Sequence, residues 1–477
     1  MEPARWPSRA MSVTNVPMKQ LSCDVAIIGA GSAGLAARRA AAEAGARTLL
    51  IESGPGGTTC ARVGCMPSKL LLAAARAARD MREAGQFGVG PNGRVKIDGA
   101  RVMKRVQRER DRFVAAVRKD VAAIPAKEKL KGHARFDGAT SLTVDDHSRV
   151  QARAVVIATG GRPAVPAALA EACGERMLTH ETVFDLPRLP ASLAVIGAGP
   201  LGIELAVAFA RLGVRVAVFD EGRVVGAIAD PVVQAVIQGE LGRELGMRLG
   251  VSVEARRIGR GDVRLSWRTG AGATSSSSFQ YVLSAVGRPP TVDGLDLQMT
   301  GLDLDDHGVP TFDPNTQRCG DSAVFIAGDA DNRRPVLHEA AAQGELAGAN
   351  AARLPKIERR PPGVALAITF TDPDMAIVGD GFDPKREKDW AIGGSDDNGR
   401  ARVDGRRPGV LRVYIRREDH VILGGEMFGP DVEHLAQMLA WVAQLGMTVD
   451  DALALPFYHP TIQEGLRAAL RDARAKL

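Results

Sequence analysis

Apolar runs that end in glycine-rich turns occur twice along the chain. In the first copy, the apolar run at residues 25–28 is followed at once by GAGSAG at residues 29–34 and then by an alanine-rich segment. A short, fully apolar run is typical of a buried strand in a parallel sheet, and the alanine-rich segment predicts a helix. A further strand is predicted at residues 48–51, and Glu52 follows it.

The second copy has the same order of elements. An apolar run at residues 193–196 precedes GAGPLG at residues 197–202, and a strand at residues 214–219 is followed by Asp220. Glycines in such a turn let the backbone approach a pyrophosphate, whose charge is attracted by the free N–H groups at the helix start. The acidic residue after the next strand meets a ribose hydroxyl. The sequence therefore predicts two dinucleotide-binding sites.

Asp220 also indicates which nucleotide the second site prefers. A carboxylate accepts hydrogen bonds from an unmodified ribose but repels a 2′-phosphate, so Asp220 favours NAD over NADP. Arg223 lies close to Asp220 in the sequence and leaves NADP as the alternative.

Three other stretches have patterns that need an interpretation. The basic run at residues 101–119 has apolar positions near helical spacing, which predicts an amphipathic helix with a solvated face rather than a nucleic-acid site. The apolar stretch at residues 193–214 contains Glu204 and a Gly-Ala-Gly-Pro break, so a membrane span is rejected. The serine run at residues 275–278 predicts a flexible loop within the second domain.

Composition places the chain among globular proteins of more than one domain. Its 477 residues exceed what one core usually supports, and 45% hydrophobic with 25% charged residues is ordinary. The net charge of +6 is spread along the chain and implies no polyanion partner. Five cysteines and no recognisable export signal favour a reducing, cytoplasmic compartment. We expect residues 1–20 to form a flexible tail, and we expect no metal site.

Two of the cysteines, Cys60 and Cys65, follow the first copy of the nucleotide pattern. Positions five apart on an undistorted helix are separated by about 7.5 Å along its axis, beyond the reach of a disulfide. Gly64 loosens the backbone and Pro67 disfavours helix at Met66, so the segment is predicted to be irregular, with a helix over residues 70–79. That helix start and Lys69 would stabilise a Cys65 thiolate. The alternative is a pair of structural thiols.

These motifs together resemble the pyridine nucleotide-disulfide oxidoreductase family and, within it, the dihydrolipoamide dehydrogenases. The resemblance implies an α/β fold with two Rossmann-like domains, for FAD and NAD, and an α+β dimerisation domain. It also implies a redox-active Cys60–Cys65 disulfide and a Lys69–Glu204 ion pair beside the flavin. The implied FAD-binding residues are Gly29, Gly31, Gly34, Glu52, Thr159, Gly160 and Asp329, and the implied NAD-binding residues are Gly197, Gly199, Gly202 and Asp220.

The C-terminal part carries the resemblance further. Residues 370–373 (FTDP) resemble the opening of the family's dimerisation domain, and residues 459–464 (HPTIQE) resemble its catalytic base and the carboxylate that orients it. The resemblance implies that His459 and Glu464 act on the disulfide of the other subunit, so the active site requires a homodimer. Imidazole suits this role because it titrates near neutral pH.

Some residues depart from the dihydrolipoamide dehydrogenase pattern. Phe457 stands where many of these enzymes have the first histidine of His-x-His-Pro, and Thr58 stands where the family usually has glycine. Arg38 and Arg39 are similar to arginines of glutathione reductases. The alternative function is therefore an NAD(P)H-dependent reductase of glutathione-like or other low-molecular-weight disulfides. A flavoprotein that acts only as a binding partner is a further alternative.

The sequence thus predicts a domain order and a reaction. We expect an FAD domain at residues 21–157 and 285–352, an inserted NAD domain at residues 158–284, and a dimerisation domain at residues 354–477. The expected reaction is oxidation of dihydrolipoamide or a lipoyl-domain dithiol by NAD⁺. Cys23, Cys173 and Cys319 are expected to serve packing.

Overall fold

The structure is a computed structural model, and it describes residues 18–90, 93–258, 261–268, 272–407 and 409–477. The chain divides into two compact units. Unit 1 consists of Met1–Gly56, Ile124–Gly160 and Pro290–Arg360, and unit 2 consists of Gly57–Ala123, Gly161–Pro289 and Pro361–Leu477. The first glycine-rich turn lies in unit 1 and the second lies in unit 2. The domain limits given above follow expected ligand roles, and they stay a prediction.

Unit 1 is built on a nine-stranded sheet with helices packed against it. The strand Lys19–Ile28 pairs in parallel with Thr48–Glu52 on one side and Ser148–Ile157 on the other. The remaining strands are Lys129–Lys131, Ala134–Phe136, Ser141–Val144, Phe312–Asp313, Arg318–Cys319 and Val324–Ile326, and the α-helices are Ser32–Glu43 and Leu337–Arg353. Because the central parallel strands end at one edge, the turns that follow them meet there.

The two helices of unit 1 pack at very short range through glycine. A β-carbon added at Gly344 would lie 2.2 Å from the carbonyl oxygen of Ala33, and one added at Gly348 would lie 2.1 Å from that of Ala37. Such distances are far inside van der Waals contact, so these two glycines are required for helix Leu337–Arg353 to approach helix Ser32–Glu43. The close packing fixes the position of helix Ser32–Glu43, which begins at the first glycine-rich turn.

The described residues of unit 2 form three sheets. A parallel sheet has the strand order Arg248–Leu249, Arg215–Asp220, Ser192–Ile196, Tyr281–Ser284 and Met177–Leu178. An antiparallel sheet consists of Val253–Ile258, Asp262–Arg268 and Thr274–Phe279, and a second one has the order Leu366–Thr369, Asp374–Val378, Ile422–Gly429, Val410–Arg416 and Trp390–Ser395. The α-helices of unit 2 are Thr59–Val63, Cys65–Glu83, Gly99–Ala123, Ala167–Cys173, Pro200–Arg211, Pro231–Leu245, Gly399–Val403, Val432–Gln444, Val449–Ala454 and Gln463–Arg474.

The structure confirms most of the predicted elements and corrects three. The predicted tail at residues 1–20 is wrong at Lys19 and Gln20, which begin the strand Lys19–Ile28, and its residues 1–17 lie outside the described residues. The basic run lies on helix Gly99–Ala123, and Cys23, Cys173 and Cys319 are buried. The predicted loop at residues 275–278 is wrong, because these serines belong to strand Thr274–Phe279, where the neighbouring strand supplies the hydrogen bonds and Phe279 is buried. Met66 is helical, since Pro67 lies in the first helical turn, where its missing N–H costs no hydrogen bond.

Among the helices of the described residues, none is both long and apolar enough to cross a membrane. The stretch at residues 193–214 contains most of the buried strand Ser192–Ile196, the second turn, helix Pro200–Arg211 and the three residues after it.

We predict that Gly344→Ala destabilises the protein, because its methyl group would collide with the Ala33 carbonyl. Overpacking of this kind lowers the free energy of unfolding by about 1–3 kcal/mol. Gly239→Ala is the matched control: Gly239 also lies inside a helix, and no atom lies within 4 Å of an added β-carbon. This variant should gain about 0.5–1 kcal/mol from helix propensity. Thermal unfolding of both variants measures the difference, and equal midpoints would contradict the prediction.

Candidate active site

The first glycine-rich turn lies between strand Lys19–Ile28 and helix Ser32–Glu43. Gly29 has φ +105°, and a β-carbon there would lie 2.4 Å from the carbonyl oxygen of Ala158. A β-carbon at Gly34 would lie 1.8 Å from the carbonyl oxygen of Gly29, whereas Gly31 has open space around it. Gly31 is the N-cap, and no side chain caps the helix start. The free N–H groups and the open space fit a phosphate group.

Glu52 ties the next strand to this turn. One carboxylate oxygen accepts a hydrogen bond from Ala30 N at 2.7 Å, and the other accepts from Gly54 N at 2.6 Å. The carboxylate therefore holds the turn in shape from the end of its neighbouring strand, which is the place predicted for a ribose contact.

Further predicted residues of unit 1 lie beside the same turn. Thr159 and Gly160 follow Ala158, whose carbonyl faces Gly29, and Gly160 has φ +71°. Asp329 lies in the short 3₁₀ turn Gly328–Asp331, and a β-carbon at Gly328 would lie 2.9 Å from Cβ of Ala33. The structure thus brings the predicted unit 1 residues to one edge of the sheet.

Two polar atoms at this edge are buried without a hydrogen-bond partner among the described residues. They are Oγ1 of Thr159 and Oδ2 of Asp331. Burial raises the pKa of Asp331 to about 6. Buried polar atoms normally have partners, so these two fit a bound polar ligand. The sequence reasoning missed Asp331, although its position two residues after Asp329 was a usable signal.

The second turn repeats the construction of the first within unit 2. Gly197 has φ +110°, and a β-carbon there would lie 2.3 Å from the carbonyl oxygen of Ala285. A β-carbon at Gly202 would lie 2.1 Å from the carbonyl oxygen of Gly197, and Gly199 again has open space at an uncapped helix start. The two turns therefore have the same close contacts and the same opening.

Asp220 holds the second turn as Glu52 holds the first. Its two oxygens accept hydrogen bonds from Ala198 N and Gly222 N, each at 2.6 Å. Arg223 lies beside Gly250, because a β-carbon there would lie 3.3 Å from Nε of Arg223. The carboxylate thus lies at the end of the strand next to the second turn, which is the place predicted for a ribose contact.

The two cysteines lie on either side of a helix break. Helix Thr59–Val63 ends at Gly64, which has φ −122° and ψ −118°, and helix Cys65–Glu83 begins immediately afterwards. A β-carbon at Gly64 would lie 3.0 Å from the carbonyl oxygen of Thr59, so glycine lets the chain turn tightly here. The predicted irregularity is confirmed, and the second helix begins earlier than residue 70.

The two thiols differ in acidity. Both are free; Cys60 lies in helix Thr59–Val63, and Cys65 is the first residue of the next helix. The neighbouring Cys60 thiol is the main cause that lowers the pKa of Cys65 to about 6; the Lys69 charge also lowers it, while partial desolvation opposes both effects. The interaction between the two thiols raises the pKa of Cys60. Cys65 is therefore the more readily ionised of the two thiols.

Lys69 and Glu204 form an ion pair next to this segment. Nζ of Lys69 lies 2.8 and 2.9 Å from the two carboxylate oxygens of Glu204, and the Glu204 side chain is only 7% exposed. Glu204 also accepts a hydrogen bond from Phe370 N at 2.9 Å, and Nζ of Lys69 lies 4.4 Å from the centre of the Phe370 ring. The predicted ion pair thus joins helix Cys65–Glu83, called the cysteine helix below, to helix Pro200–Arg211.

His459 and Glu464 form the predicted histidine–carboxylate pair. Nδ1 of His459 lies 3.0 Å from both carboxylate oxygens of Glu464. The hydrogen bond with His459, followed by one from Thr461 N, lowers the pKa of Glu464. A carboxylate accepts hydrogen bonds, so Nδ1 carries the proton and Nε2 is left as the acceptor. The His459 side chain is 79% exposed, so this acceptor is accessible.

Two residues that depart from the dihydrolipoamide dehydrogenase pattern have defined contacts. Phe457 is half-buried, and the guanidinium of Arg467 lies 5.7 Å from its ring centre. Arg38 forms an ion pair with Glu128 at 2.6 Å, whereas Arg39 is exposed. Arg38 is therefore engaged within unit 1.

His180 is a further residue near the cysteines that the sequence reasoning missed. It is buried, and its Nδ1 lies 3.1 Å from the carbonyl oxygen of Val63, which precedes the helix break. A single histidine far from the cysteines in sequence gives no local signal of this contact, so only the fold reveals it.

Comparison with known protein families gives two matches along the chain. A family model described as pyridine nucleotide-disulphide oxidoreductase matches residues 23–344. A model for the dimerisation domain of the same family matches residues 366–470. Together the two matches include the glycine-rich turns, the cysteine pair and the His459–Glu464 pair.

Individual relatives agree with these matches. The chain is 30% identical over 480 residues to dihydrolipoyl dehydrogenase 3 of Pseudomonas aeruginosa, covering 95% of this chain and 98% of the relative. It is also 30% identical over 465 residues to dihydrolipoyl dehydrogenase of Bacillus subtilis, covering 94% and 97%. The solved structure of the HOCl-induced flavoprotein disulfide reductase RclA of Escherichia coli, as a Cu(II) complex, has a similar fold, with TM-score 0.79, 21% identity and coverage of 94% and 99%.

We predict opposite effects of the two members of the ion pair on the thiolate. Lys69 lowers the pKa of Cys65 and Glu204 raises it. Lys69→Met should therefore move the midpoint of thiolate formation up by about one unit, and Glu204→Gln should move it down. The pH dependence of alkylation at Cys65 measures both shifts.

Lys104→Met, at an exposed lysine on helix Gly99–Ala123, is the matched control for this prediction and should leave the midpoint unchanged. Shifts of the same sign in the Lys69 and Glu204 variants would contradict the electrostatic explanation.

Proposed function

Since the chain belongs to the pyridine nucleotide-disulphide oxidoreductase family, we propose that it oxidises dihydrolipoamide with NAD⁺ through a redox-active disulfide between Cys60 and Cys65. Membership makes the protein a flavoprotein disulfide oxidoreductase with FAD and NAD as cofactors. The observation that carries the proposal is the helix break at Gly64, which puts Cys60 in one helix and Cys65 at the start of the next, with the Lys69–Glu204 ion pair one turn further along. The lowered pKa of Cys65 agrees with it.

The nature of the substrate and nucleotide has separate support. Relatives that match nearly the whole chain are dihydrolipoyl dehydrogenases. Asp220 supports NAD, because backbone N–H groups hold its carboxylate at the second turn. A carboxylate there would accept a hydrogen bond from an unmodified ribose and repel a 2′-phosphate. We propose a small dithiol or a protein-bound lipoyl group as substrate. We also place the enzyme in the cytoplasm, where unpaired cysteines remain reduced.

We assign the two cofactors to the two turns. FAD would bind in unit 1 at Gly29, Gly31, Gly34, Glu52, Thr159, Gly160 and Asp329, and we add Asp331 because its buried oxygen has no partner among the described residues. NAD would bind in unit 2 at Gly197, Gly199, Gly202 and Asp220. When bound, FAD supplies a two-electron acceptor that is reoxidised by NAD⁺. Lys69 and Glu204 would set the charge beside it.

Exchange at the cysteines begins with removal of a proton from the substrate. In the homodimer supported by the dimerisation-domain match, Nε2 of His459 from one protomer takes the proton of a substrate thiol at the other protomer's cysteine pair. The substrate thiolate attacks the sulfur of Cys60, the Cys60–Cys65 bond breaks, and Cys65 leaves as the thiolate. The low pKa of Cys65 makes it the better leaving group.

The second half of the exchange releases the product. The second thiol of the substrate attacks the substrate sulfur that is bonded to Cys60. Cys60 then leaves and takes up the proton of the attacking thiol. The substrate becomes a cyclic disulfide, having given two electrons to the cysteine pair and one proton each to Cys60 and His459. Glu464 stabilises the imidazolium that this leaves on His459.

A disulfide reductase working in the opposite direction is the second candidate function. Phe457 favours it, because this aromatic ring stands where many dihydrolipoamide dehydrogenases have a histidine, and Arg39 is exposed and free to meet a peptide carboxylate. Arg38 is evidence against the reductase. It is similar to an arginine of glutathione reductases, but here its guanidinium is paired with Glu128. Asp220 also speaks against it, because such reductases draw on NADPH.

We predict that the purified holoenzyme reduces NAD⁺ with dihydrolipoamide at least about 100-fold faster than it reduces glutathione disulfide with NADH or NADPH. The measurement is the initial rate of NAD(P)H absorbance change in one panel of substrates. Faster turnover of glutathione disulfide would instead support the reductase.

Cys65→Ser should abolish turnover of dihydrolipoamide while the protein keeps its flavin, because serine cannot form the disulfide. The flavin absorbance spectrum of the variant is the control for folding. Turnover at the parental rate in this variant would refute the role of the cysteine pair.

His459→Gln should lower kcat by about 10²–10⁴-fold, which is the usual contribution of a general base. Glu464→Gln should cause a smaller loss, because it disturbs only the orientation and charge of the imidazole. His434→Gln is the matched control, since His434 is an exposed histidine of the same domain and should leave kcat unchanged. Steady-state kinetics of the three variants measures kcat. Full activity of His459→Gln would show that His459 is not the general base.

A further inference from the structure

His180 makes a buried contact with the backbone between the two cysteines. Its side chain lies in the segment between strand Met177–Leu178 and the 3₁₀ turn Val183–Asp185, and the residue is only 3% exposed. Nδ1 lies 3.1 Å from the carbonyl oxygen of Val63. Because a carbonyl oxygen can only accept a hydrogen bond, Nδ1 carries the proton and donates it.

Val63 occupies a sensitive position in the cysteine segment. It is the last residue of helix Thr59–Val63, it is 2% exposed, and Gly64 follows it with the backbone angles that break the helix. The start of this short helix is held by Thr58, whose Oγ1 accepts a hydrogen bond from Ala61 N at 3.2 Å. The hydrogen bond from His180 holds its other end, three residues beyond Cys60 and two before Cys65.

The imidazole of His180 is a neutral donor. Burial lowers its pKa, and the positive charges of Arg288 and Arg62 lower it further, while the Val63 contact and the charge of Glu181 oppose this shift. Nε2 is buried and has no hydrogen-bond partner among the described residues. His180 thus adds one N–H group to the segment without adding charge near the thiolate. The charge that stabilises Cys65 comes from Lys69 instead.

We propose that His180 is a positioning residue for the cysteine pair: its Nδ1–H holds the Val63 carbonyl and thereby fixes the end of the short helix that separates Cys60 from Cys65. This inference rests on the proposed function of the pair. Without the donor, the buried Val63 carbonyl loses its partner, and the helix end shifts until that oxygen is satisfied. The spacing of Cys60 and Cys65 then changes, and the Cys60 thiol lowers the pKa of Cys65 less.

The test compares His180→Leu with His180→Asn in the reduced holoenzyme. Leucine has a similar volume but no donor, whereas asparagine places an amide N–H close to the position of Nδ1 and cannot titrate. Iodoacetamide alkylation of Cys65, quantified by mass spectrometry between about pH 4 and 10, reports its thiolate fraction. We expect the midpoint of His180→Leu to rise by at least about one unit, which makes alkylation about tenfold slower at pH values well below the midpoint.

The asparagine variant should keep the parental midpoint, because the neutral donor is retained. A merely structural role would lower the stability of both variants without moving the midpoint. The equilibrium of the cysteine pair with a dithiothreitol redox buffer is a second readout, and only His180→Leu should shift it. An unchanged midpoint in His180→Leu would overturn the inference.

If His180→Leu fails to retain flavin, His180→Gln replaces it. Glutamine carries the same amide as asparagine one methylene further from the backbone, so its donor misses the Val63 carbonyl and the midpoint should rise. An unchanged midpoint in His180→Gln would then overturn the inference. A parental Cys65 that titrates like an ordinary thiol would overturn the proposed function of the pair and this inference with it, whereas a low parental midpoint that is insensitive to His180 would overturn the inference alone.

Discussion

The Lys69–Glu204 ion pair is the contact on which the arrangement of unit 2 depends. It connects three separate segments: the cysteine helix, the helix that starts at the second glycine-rich turn, and the chain at Phe370. A carboxylate as buried as that of Glu204 cannot lose its cation without becoming an unpaired charge in a poorly solvated place. The three segments are therefore held in one register by the need to keep this charge neutralised.

The difference between the two thiols follows from this register and from the helix break. Gly64 ends one helix and lets the next begin at Cys65, so Cys65 lies at a helix N-terminus with Lys69 one turn further along. The Cys60 thiol, carried by the preceding helix, lowers the pKa of Cys65 further. Backbone geometry and one nearby cation are enough to make two chemically identical side chains unequal.

Much of this was predictable from the sequence, because the signals are local. The glycine turns, Glu52, Asp220, the break at Gly64 and the pairing of His459 with Glu464 all depend on residues close together in the chain. The serine strand was not predictable as such, since its hydrogen bonds come from a neighbouring strand. His180 was missed because its significance depends on burial, which only the folded chain defines, whereas Asp331 was missed although its position two residues after Asp329 was a usable signal. Lys69 and Glu204, distant in sequence, were paired through family resemblance alone.

The carboxylates of Glu52 and Asp220 have the same hydrogen-bond pattern: each oxygen accepts one hydrogen bond from a backbone N–H group. An ionised carboxylate offers about four lone pairs, so roughly half of its accepting capacity remains open. An incoming sugar can therefore add its hydroxyl groups to the carboxylate while the loop keeps every bond that shapes it. In both units the hydrogen bonds that shape the loop thus use only part of what the carboxylate can accept.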